Sequence, residues 1–366
     1  MKRRVFLKKS ISFSGLAAVG VSLTSETSCA CMTATSKIKI GQIGTGHPHA
    51  YKMGTLRRLT DLFEVVGVAD DDPEQRKKNK NKGVYKDLPW LSTEELLAIP
   101  GLQAVTVETE EHHTLPVALR CVQAGKHVHI DKPAGESLAE FKQVLDIAKA
   151  KNLTVQVGYM FRNNPAIQFC FKAVKDGLLG RIYDVDSAMN RPDEPSYRNF
   201  IKTHRGGTPF IFACHMIDLT VTMMGAPEKI HPFLRKTRTD DVIDNSLTVF
   251  EYPNGGIATI RTSINEAEGF QHRYLTVRGT KGMITIRPLE TIDDMSGGTL
   301  YLTLAEASGK FIKGDQIVEM PPFKGRYEDQ LIEFANVVNG KIQNPYPYEH
   351  EYLVQKCLLK ACEMEP

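Results

Sequence analysis

Cysteine and tryptophan are the scarcest residue types in this 366-residue chain, which contains seven cysteines and one tryptophan. Two of the cysteines lie within the first 31 residues, and the others form no C-x-x-C pair and no spacing typical of metal ligands. This pattern excludes a disulfide framework, and the odd number leaves at least one thiol free unless it pairs between chains. These five are Cys121, Cys170, Cys214, Cys357 and Cys362.

The chain also lacks an excess of charge of one sign. It has 46 basic and 43 acidic residues, and five of the basic ones lie within the first thirty residues beside a single acid. The remaining chain is close to neutral, which excludes the strongly basic face of a nucleic-acid-binding protein. Hydrophobic residues make up 42% and charged residues 24%, which is typical of a globular protein, and the length suits two domains.

The N-terminal residues have the features of an export signal. Arg3 and Arg4 form a twin-arginine pair, followed by an apolar stretch over residues 11–23 and a small-residue cleavage site over residues 28–30. A stretch of about 13 residues is too short for a membrane-spanning helix and typical of a signal peptide. We therefore predict that residues 1–30 are an export signal, that the protein is periplasmic and that the mature chain has no membrane span.

Lipid attachment within this signal is disfavoured. Cys29 or Cys31 could carry a lipid, but Glu26 and Ser28 stand where an apolar residue would be needed. Because a twin-arginine route transports proteins that are already folded, a cofactor could be loaded in the cytoplasm before export.

From residue 37 onward, strand and helix patterns alternate. Strands are predicted over residues 38–43, 64–69, 103–108 and 127–130. One helix is predicted to begin at residues 114–116, with Pro116 in its first turn, and a later one begins with the capping box Ser137-x-x-Glu140. This alternation predicts an α/β Rossmann domain with a doubly wound parallel sheet over residues 37–157.

A glycine-rich turn joins the first predicted strand to the next helix. Gly44 permits a tight turn, and Gly46 allows the backbone to approach a pyrophosphate at the helix N-terminus. The second strand ends in Asp70, whose carboxylate can accept hydrogen bonds from a ribose and repels a 2′-phosphate. We therefore predict NAD as the cofactor. The alternative is a glycine turn in a fold that binds no nucleotide.

Two histidines follow this turn. His47 and His49 have H-x-H spacing, but the sequence shows no third ligand beside them, so no metal site is predicted. We assign both to the entry of the helix, where they would line the cofactor site. The full set of predicted cofactor-binding residues is Gly44, Thr45, Gly46, His47, Asp70, Thr109, His113 and Lys132.

The second half of the chain contains turn sequences typical of β-hairpins. Turns at residues 254–256 and 279–282 separate strand patterns, which predicts an open, mainly antiparallel sheet in an α+β domain over residues 158–366. Strands are predicted over residues 182–189, 231–235, 246–252, 257–264, 273–278 and 283–286. Helices that flank this sheet are predicted over residues 165–176, 209–224, 327–338 and 350–362.

Two segments resemble one oxidoreductase family. Residues 124–133, AGKHVHIDKP, resemble the lysine-proline signature of the Gfo/Idh/MocA family, which includes glucose–fructose oxidoreductase and inositol dehydrogenase. Residues 157–165 resemble the family signature where the chain leaves the nucleotide domain. The resemblance covers nearly everything after the signal, and it implies a second domain whose open sheet often mediates oligomerisation. We therefore expect a homo-oligomer.

The resemblance also implies the catalytic residues. Lys132 matches the family lysine, and His215 matches the histidine of a D-x-x-x-H helix. The aspartate of that motif is replaced by Ile211, which can neither accept a proton nor bind a hydroxyl. A base role therefore falls to His215 or Lys132. We expect His215, with a pKa near neutral, to be the better proton acceptor, and Asp218 on the same helix face to orient its imidazole. Tyr159, Arg162, His215 and Asp218 are the predicted substrate-binding residues.

These features together predict an exported enzyme. We expect an NAD-dependent oxidoreductase that acts on a sugar, a sugar derivative or a cyclitol and holds its NAD tightly. One alternative is a redox-neutral enzyme that cleaves or epimerises a glycoside through transient ring oxidation. Another is a sugar-binding protein that retains a nucleotide fold without catalysis, but the presence of both Lys132 and His215 argues against it.

Overall fold

The computed structural model describes residues 37–290 and 297–364. The predicted export signal, including Arg3, Arg4 and the two candidate lipid cysteines, lies outside these residues. The described part of the chain contains two β-sheets, which follow one another in the sequence. All five of its cysteines are buried and unpaired, in agreement with the expectation of free thiols.

The first sheet has six parallel strands in the order β3-β2-β1-β4-β5-β6, which is the Rossmann order. Its central strands are buried on both faces because helices cover the sheet on each side. The strands are β1 (Ile38–Ile43), β2 (Phe63–Ala69), β3 (Trp90–Leu91), β4 (Ala104–Val107), β5 (His127–Ile130) and β6 (Val155–Val157). The helices are α1 (Met53–Arg58), α2 (Pro73–Asn79), α3 (Thr93–Leu97), α4 (Glu111–Gln123) and α5 (Leu138–Ala150).

Helix α4 begins one turn earlier than its proline predicts. The expected start was at residues 114–116, but the helix begins at Glu111 and places Pro116 in its interior. The Glu111 carboxylate is buried at this N-terminus, where a negative charge is favourable, and it accepts a hydrogen bond from His204 Nε2 at 2.9 Å. An acid in the first turn is a helix-start signal, and the sequence analysis did not use it here.

The second sheet has eight strands in the order β14-β13-β12-β11-β7-β10-β9-β8, and β7 and β10 form its only parallel pair within the described residues. The predicted mainly antiparallel sheet is therefore confirmed. Its strands are β7 (Ile182–Asn190), β8 (Lys229–Arg235), β9 (Asn245–Glu251), β10 (Ile257–Ser263), β11 (Tyr274–Gly279), β12 (Gly282–Glu290), β13 (Gly297–Leu304) and β14 (Gly314–Val318).

Five helices lie in the second half of the chain, and the sequence analysis missed one of them. They are α6 (Pro165–Lys175), α7 (Pro195–Lys202), α8 (Gly207–Met224), α9 (Glu328–Val338) and α10 (Tyr348–Ala361), of which α7 was not predicted. Helix α9 was expected to flank the second sheet, and that expectation is wrong. Its apolar face, with Leu331 and Phe334, packs instead with Ile38 and Ile40 of the first sheet.

Helix α8 is the most apolar helix of the second half. It is long and apolar enough to cross a membrane, but 83% of its 18-residue apolar window is buried inside the fold. It packs against α10 and against strands of the second sheet. A buried core helix can be as long and as apolar as a membrane-spanning one. The burial of α8 is that of a core helix.

Candidate active site

The turn after β1, residues 44–46, forms the backbone loop that we call the glycine cradle. Its first position, Gly44, can be occupied only by glycine. Gly44 has a φ of +88°, and a Cβ there would lie 2.7 Å from the backbone nitrogen of Thr109. The Gly44 N–H donates a hydrogen bond of 2.7 Å to the Ala69 carbonyl, which fixes the turn against the end of β2. The turn therefore lies at the carboxyl edge of the sheet, where open α/β folds bind their ligands.

A cavity of about 460 Å³ lies beside this turn. The Asp70 carboxylate at the end of β2 accepts a hydrogen bond of 2.5 Å from Thr45 Oγ1, and burial raises the pKa of Asp70. The glycine cradle fits the pyrophosphate of a dinucleotide, and the strand-end acid fits its adenosine ribose. Six of the eight predicted cofactor residues line the cavity, namely Gly44, Thr45, Gly46, Asp70, Thr109 and His113.

A buried polar cluster, which the sequence analysis did not find, lies where β4 and β5 end. The Lys52 ammonium donates hydrogen bonds to Glu108 Oε1 at 2.8 Å and to Asp131 Oδ2 at 2.7 Å, and it lies 2.9 Å from His129 Nε2. Burial opposes the ionisation of both acids. It raises the pKa of Glu108 well above its ordinary value, whereas His47 and Lys52 hold the pKa of Asp131 well below its own.

The two histidines of the H-x-H pair both contact this cluster. His49 Nδ1 lies 3.0 Å from Asp131 Oδ1, and His47 Nδ1 lies 3.5 Å from Asp131 Oδ2. Asp131 is therefore a third potential metal ligand, which corrects the expectation that the pair has none. However, the Lys52 ammonium already supplies a positive charge at Asp131, and His47 Nδ1 accepts the His49 backbone N–H at 3.1 Å. We therefore assign these groups to hydrogen bonding.

Lys132 and His215 lie on facing elements. Lys132 follows β5, is 5% exposed, and places its Nζ 3.5 Å from the carbonyl oxygen of Ile211 in α8. His215 lies one turn further along α8, with its ring edge-on to Tyr159 and Phe161. The fold thus brings together the two residues that the resemblance paired, although β5 and α8 are far apart in the sequence.

The electrostatic surroundings of His215 differ from those expected. Burial lowers its pKa well below the ordinary value, and Lys132 and His49 lower it further. Within residues 37–290 and 297–364, its buried Nδ1 has no hydrogen-bond partner. The expectations of a near-neutral pKa and of an orienting contact from Asp218 are therefore wrong.

Asp218 belongs to a different buried network. The Arg162 guanidinium donates to Asp218 Oδ1 at 2.6 Å and to Glu351 Oε1 and Oε2, both at 2.8 Å. His350 Nε2 lies 3.2 Å from the same aspartate, and the guanidinium stacks 3.7 Å from the ring centroid of Tyr346. These contacts correct the prediction that Arg162 and Asp218 bind substrate, because their charged atoms already connect the turn after β6 to α8 and α10.

Tyr159, the remaining predicted substrate residue, is also buried. It is 2% exposed, its ring lies 4.8 Å from the Arg162 guanidinium carbon, and burial raises the pKa of its hydroxyl well above the ordinary value. The Tyr159 ring contacts both the Arg162 guanidinium and the His215 ring, whose centroid is 6.0 Å from its own. Tyr159 therefore packs between buried groups in the described part of the chain.

A Rossmann sheet with a glycine cradle, a strand-end acid and a lysine facing a histidine defines a dinucleotide-dependent oxidoreductase. Residues 38–159 match the oxidoreductase family with an NAD-binding Rossmann fold, and residues 167–285 match the GFO/IDH/MocA C-terminal domain. The two matches together span more than half of the chain. The chain belongs to the Gfo/Idh/MocA family of oxidoreductases.

Individual relatives are distant. The chain is 24% identical to levoglucosan dehydrogenase of Pseudarthrobacter phenanthrenivorans over 217 residues, which cover 50% of this chain and only 55% of that enzyme. It is 25% identical to myo-inositol 2-dehydrogenase of Thermotoga maritima over 83% of this chain and 89% of that enzyme. The names of both relatives favour the oxidoreductase interpretation over the glycoside-cleaving and the non-catalytic alternatives.

The fold is also shared with a solved structure. A 3-ketoreductase from Actinomadura kijaniata, solved in complex with TDP-benzene and NADP, superimposes with a TM-score of 0.71 at 18% identity. The superposition covers 89% of this chain and 96% of that one. At this identity the likeness establishes the fold, and the two-sheet architecture described above is confirmed by it.

Proposed function

We propose that this chain is an NAD-dependent dehydrogenase that oxidises an alcohol group of a sugar, a sugar derivative or a cyclitol. One observation carries the proposal: Lys132 Nζ reaches the Ile211 carbonyl of α8 at 3.5 Å, one helical turn from His215, at the edge of the parallel sheet that also bears Asp70. A cation and neutral imidazoles therefore meet where a nicotinamide ring would lie.

The residues of this chain would perform the proton chemistry, and a bound NAD would accept the hydride. The Lys132 ammonium would donate a hydrogen bond to the reacting hydroxyl and stabilise the negative charge that develops on its oxygen. A neutral imidazole would accept the departing proton. His215 is the candidate from the resemblance, and His49 is a second candidate that only the structure places near Lys132.

The substrate class is supported by the relatives, which are named for levoglucosan and myo-inositol. Both compounds carry neighbouring secondary hydroxyls on a ring. In this chain Ile211 is 3% exposed and contributes its apolar side chain where the family motif has an acid. We therefore propose that hydroxyls beside the reacting carbon bind groups other than a carboxylate at this position.

The preference for NAD over NADP is part of the proposal. Asp70 lines the cavity with its carboxylate held by Thr45, and Asp71 and Asp72 line the same cavity. These acids would repel a 2′-phosphate. Arg120 also lines the cavity, but it donates a hydrogen bond to Asp71 at 3.2 Å and pairs with Glu94, which reduces its availability to a phosphate.

Export of a folded enzyme with a retained cofactor is the last part of the proposal. Free dinucleotide is scarce outside the cytoplasm, so an exported enzyme must keep its NAD through each turnover. A second substrate would then reoxidise the bound cofactor. The twin-arginine pair at Arg3 and Arg4 supports this route because it exports folded proteins.

The function is tested by a single-turnover assay. The purified protein is mixed with myo-inositol, scyllo-inositol, glucose or levoglucosan, and absorbance at 340 nm is followed with and without added NAD. We expect at least one of these to reduce the bound NAD stoichiometrically. An NAD-loaded protein that forms no reduced cofactor with any of the four would contradict the proposed substrate class.

A further inference from the structure

The structure places a second imidazole near Lys132, in the turn between the glycine cradle and α1. His49 Nδ1 lies 3.0 Å from Asp131 Oδ1, and Asp131 immediately precedes Lys132. Within the described residues His49 Nε2 makes no hydrogen bond and is not one of the fully buried unpaired polar atoms, and the side chain is 14% exposed, so this nitrogen can receive a ligand atom. The sequence analysis gave His49 only a lining role.

Asp131 is a fixed and ionised partner for this imidazole. Its Oδ2 accepts from the Lys52 ammonium at 2.7 Å, and its Oδ1 accepts from the Lys132 backbone N–H at 2.7 Å. These contacts leave the carboxylate one orientation, with Oδ1 directed at His49 Nδ1. A carboxylate in this position stabilises an imidazolium and holds the neutral ring with its proton on Nδ1.

His215 lacks such a partner. The nearest acid on its own helix face, Asp218, is bound by Arg162 and His350, and the His215 ring meets the edges of Tyr159 and Phe161. The charged groups that affect the His215 pKa are Lys132, His49, Arg273 and Arg326, and each of them disfavours an imidazolium.

The charged groups around His49 shift its pKa in opposite directions. Burial lowers its pKa to about 3, and Lys132 and His47 lower it as well, but Asp131 raises it through charge and through a hydrogen bond. Tyr327 is the other titratable group on its face, with ring centroids 5.7 Å apart. Of the two imidazoles near Lys132, only His49 has a group that favours its protonated form.

We propose that His49, and not His215, accepts the proton of the substrate hydroxyl, with Asp131 as its positioning residue. The inference rests on the proposed dehydrogenase function. The hydroxyl O–H bond breaks and an N–H bond forms at His49 Nε2, while the O–H electron pair becomes the second bond of the carbonyl. A bound NAD would accept the substrate C–H hydrogen together with its two electrons. His215 takes no proton in this step.

The first test compares matched variants of the full-length, NAD-loaded protein. His49→Gln and His215→Gln are assayed at 340 nm with whichever of the four probe compounds the wild type oxidises, beside His231→Gln, which alters an exposed histidine on β8. We expect His49→Gln to lower kcat by about 10²–10⁴-fold with bound dinucleotide unchanged. We expect His215→Gln to change mainly KM, and imidazole added to His49→Ala to restore part of the rate. A large loss of kcat in His215→Gln alone would overturn the assignment.

The second test needs no substrate and therefore separates a failure of this inference from a failure of the proposed function. The ¹⁵N spectrum of histidine-labelled protein, assigned with His49→Gln, reports which ring nitrogen carries the proton. We expect a neutral His49 protonated on Nδ1 in the wild type, and loss of that preference in Asp131→Asn. A His49 protonated on Nε2 would refute the His49–Asp131 pair whether or not any sugar is oxidised.

Discussion

Asp70 is the residue that we expect to determine cofactor choice. Replacing Asp70 with Ser removes the charge that would repel a 2′-phosphate but keeps a small polar side chain beside Thr45. We expect the Kd for NAD to rise and the Kd for NADP to fall, as measured by calorimetry on cofactor-stripped protein. Glu74→Ser, an exposed acid of α2, is the control. Tighter binding of NADP than of NAD by the wild type would contradict the assignment.

Lys132 is the residue that we expect to stabilise the developing negative charge on the substrate oxygen. Lys132→Ala removes a buried cation next to the Ile211 carbonyl without touching the glycine cradle. The expected fall in kcat is about 10²–10³-fold, because one electrostatic donor at the reacting oxygen is lost. Dinucleotide content, measured after denaturation, should equal that of the wild type. A variant with unchanged kcat would remove Lys132 from the mechanism.

At the residue scale, the sequence predicted individual functional residues, but it did not predict which residues they contact. Asp70 and Gly44 were found because a strand, a tight turn and an acid follow one another at short spacing. The pairing of Lys132 with His215 came from the family resemblance alone. The contacts of Lys52 with Glu108 and Asp131 were missed because they join a helix start to the ends of two strands, and no local periodicity encodes such contacts.

At the scale of elements, the Arg162 network holds α8 and α10 to the turn after β6. Burial opposes ionisation of Asp218, but Arg162 and His350 hold its pKa below the ordinary value. Asp218→Asn leaves part of the guanidinium charge uncompensated, and we expect a loss of about 3 kcal/mol in the free energy of unfolding. Urea denaturation at pH 7 measures it, with Asp176→Asn at the exposed end of α6 as the control.

The same substitution has a pH dependence with a defined sign. Because the folded-state pKa of Asp218 is lowered, its stabilising contribution is present at neutral pH and is lost as the pH falls below the ordinary aspartate value of about 3.9. The difference between wild type and Asp218→Asn should therefore be constant from pH 7 to 5 and narrow towards pH 3. A difference that grows on acidification would contradict this account.

The elements that the sequence predicted are those with a clear local signal. Strands β1, β2, β4 and β5 were predicted from apolar residues next to turn signals, and α5 from a capping side chain at Ser137, whereas the short strands β3 and β6 were not predicted. Strands β13 and β14 were missed because β13 begins with two glycines and no residue of β14 is buried, so their pattern is weak without the neighbouring β12. The position of α9 on the first sheet is a tertiary contact between distant segments, which no local pattern reveals.

At the scale of the whole molecule, the outer face of the second sheet is the surface where we expect oligomerisation. Met283, Tyr301 and Ile317 lie on this one face of β12, β13 and β14, and they are 36%, 46% and 59% exposed. Contiguous exposed apolar side chains of this kind mark interaction surfaces.

Light scattering tests this surface. We expect the wild type to be an oligomer and the double variant Tyr301→Glu, Ile317→Glu to have the mass of a single chain. Ile312→Glu, in the connection before β14 and 61% exposed, is the control and should leave the oligomer intact. A monomeric wild type would show that this face has no second copy as its partner.

We propose that Arg3 and Arg4 direct the export of the whole folded molecule. Changing both to Lys keeps the charge but removes the guanidinium pair, so the precursor should accumulate in the cytoplasm with its dinucleotide bound. Fractionation followed by immunoblotting measures its distribution, and Lys8→Arg, Lys9→Arg is the control. Normal export of the twin-lysine protein would place the signal in the general secretory class, which transports unfolded chains.

The central claim is that this chain is an enzyme that holds NAD at the glycine cradle and Asp70. Denaturing the purified protein and identifying the released nucleotide by mass spectrometry tests this most directly. We predict close to one NAD, oxidised or reduced, for each chain. Release of NADP would contradict the role of Asp70, and the absence of any dinucleotide, together with failure to bind added NAD, would contradict the account as a whole.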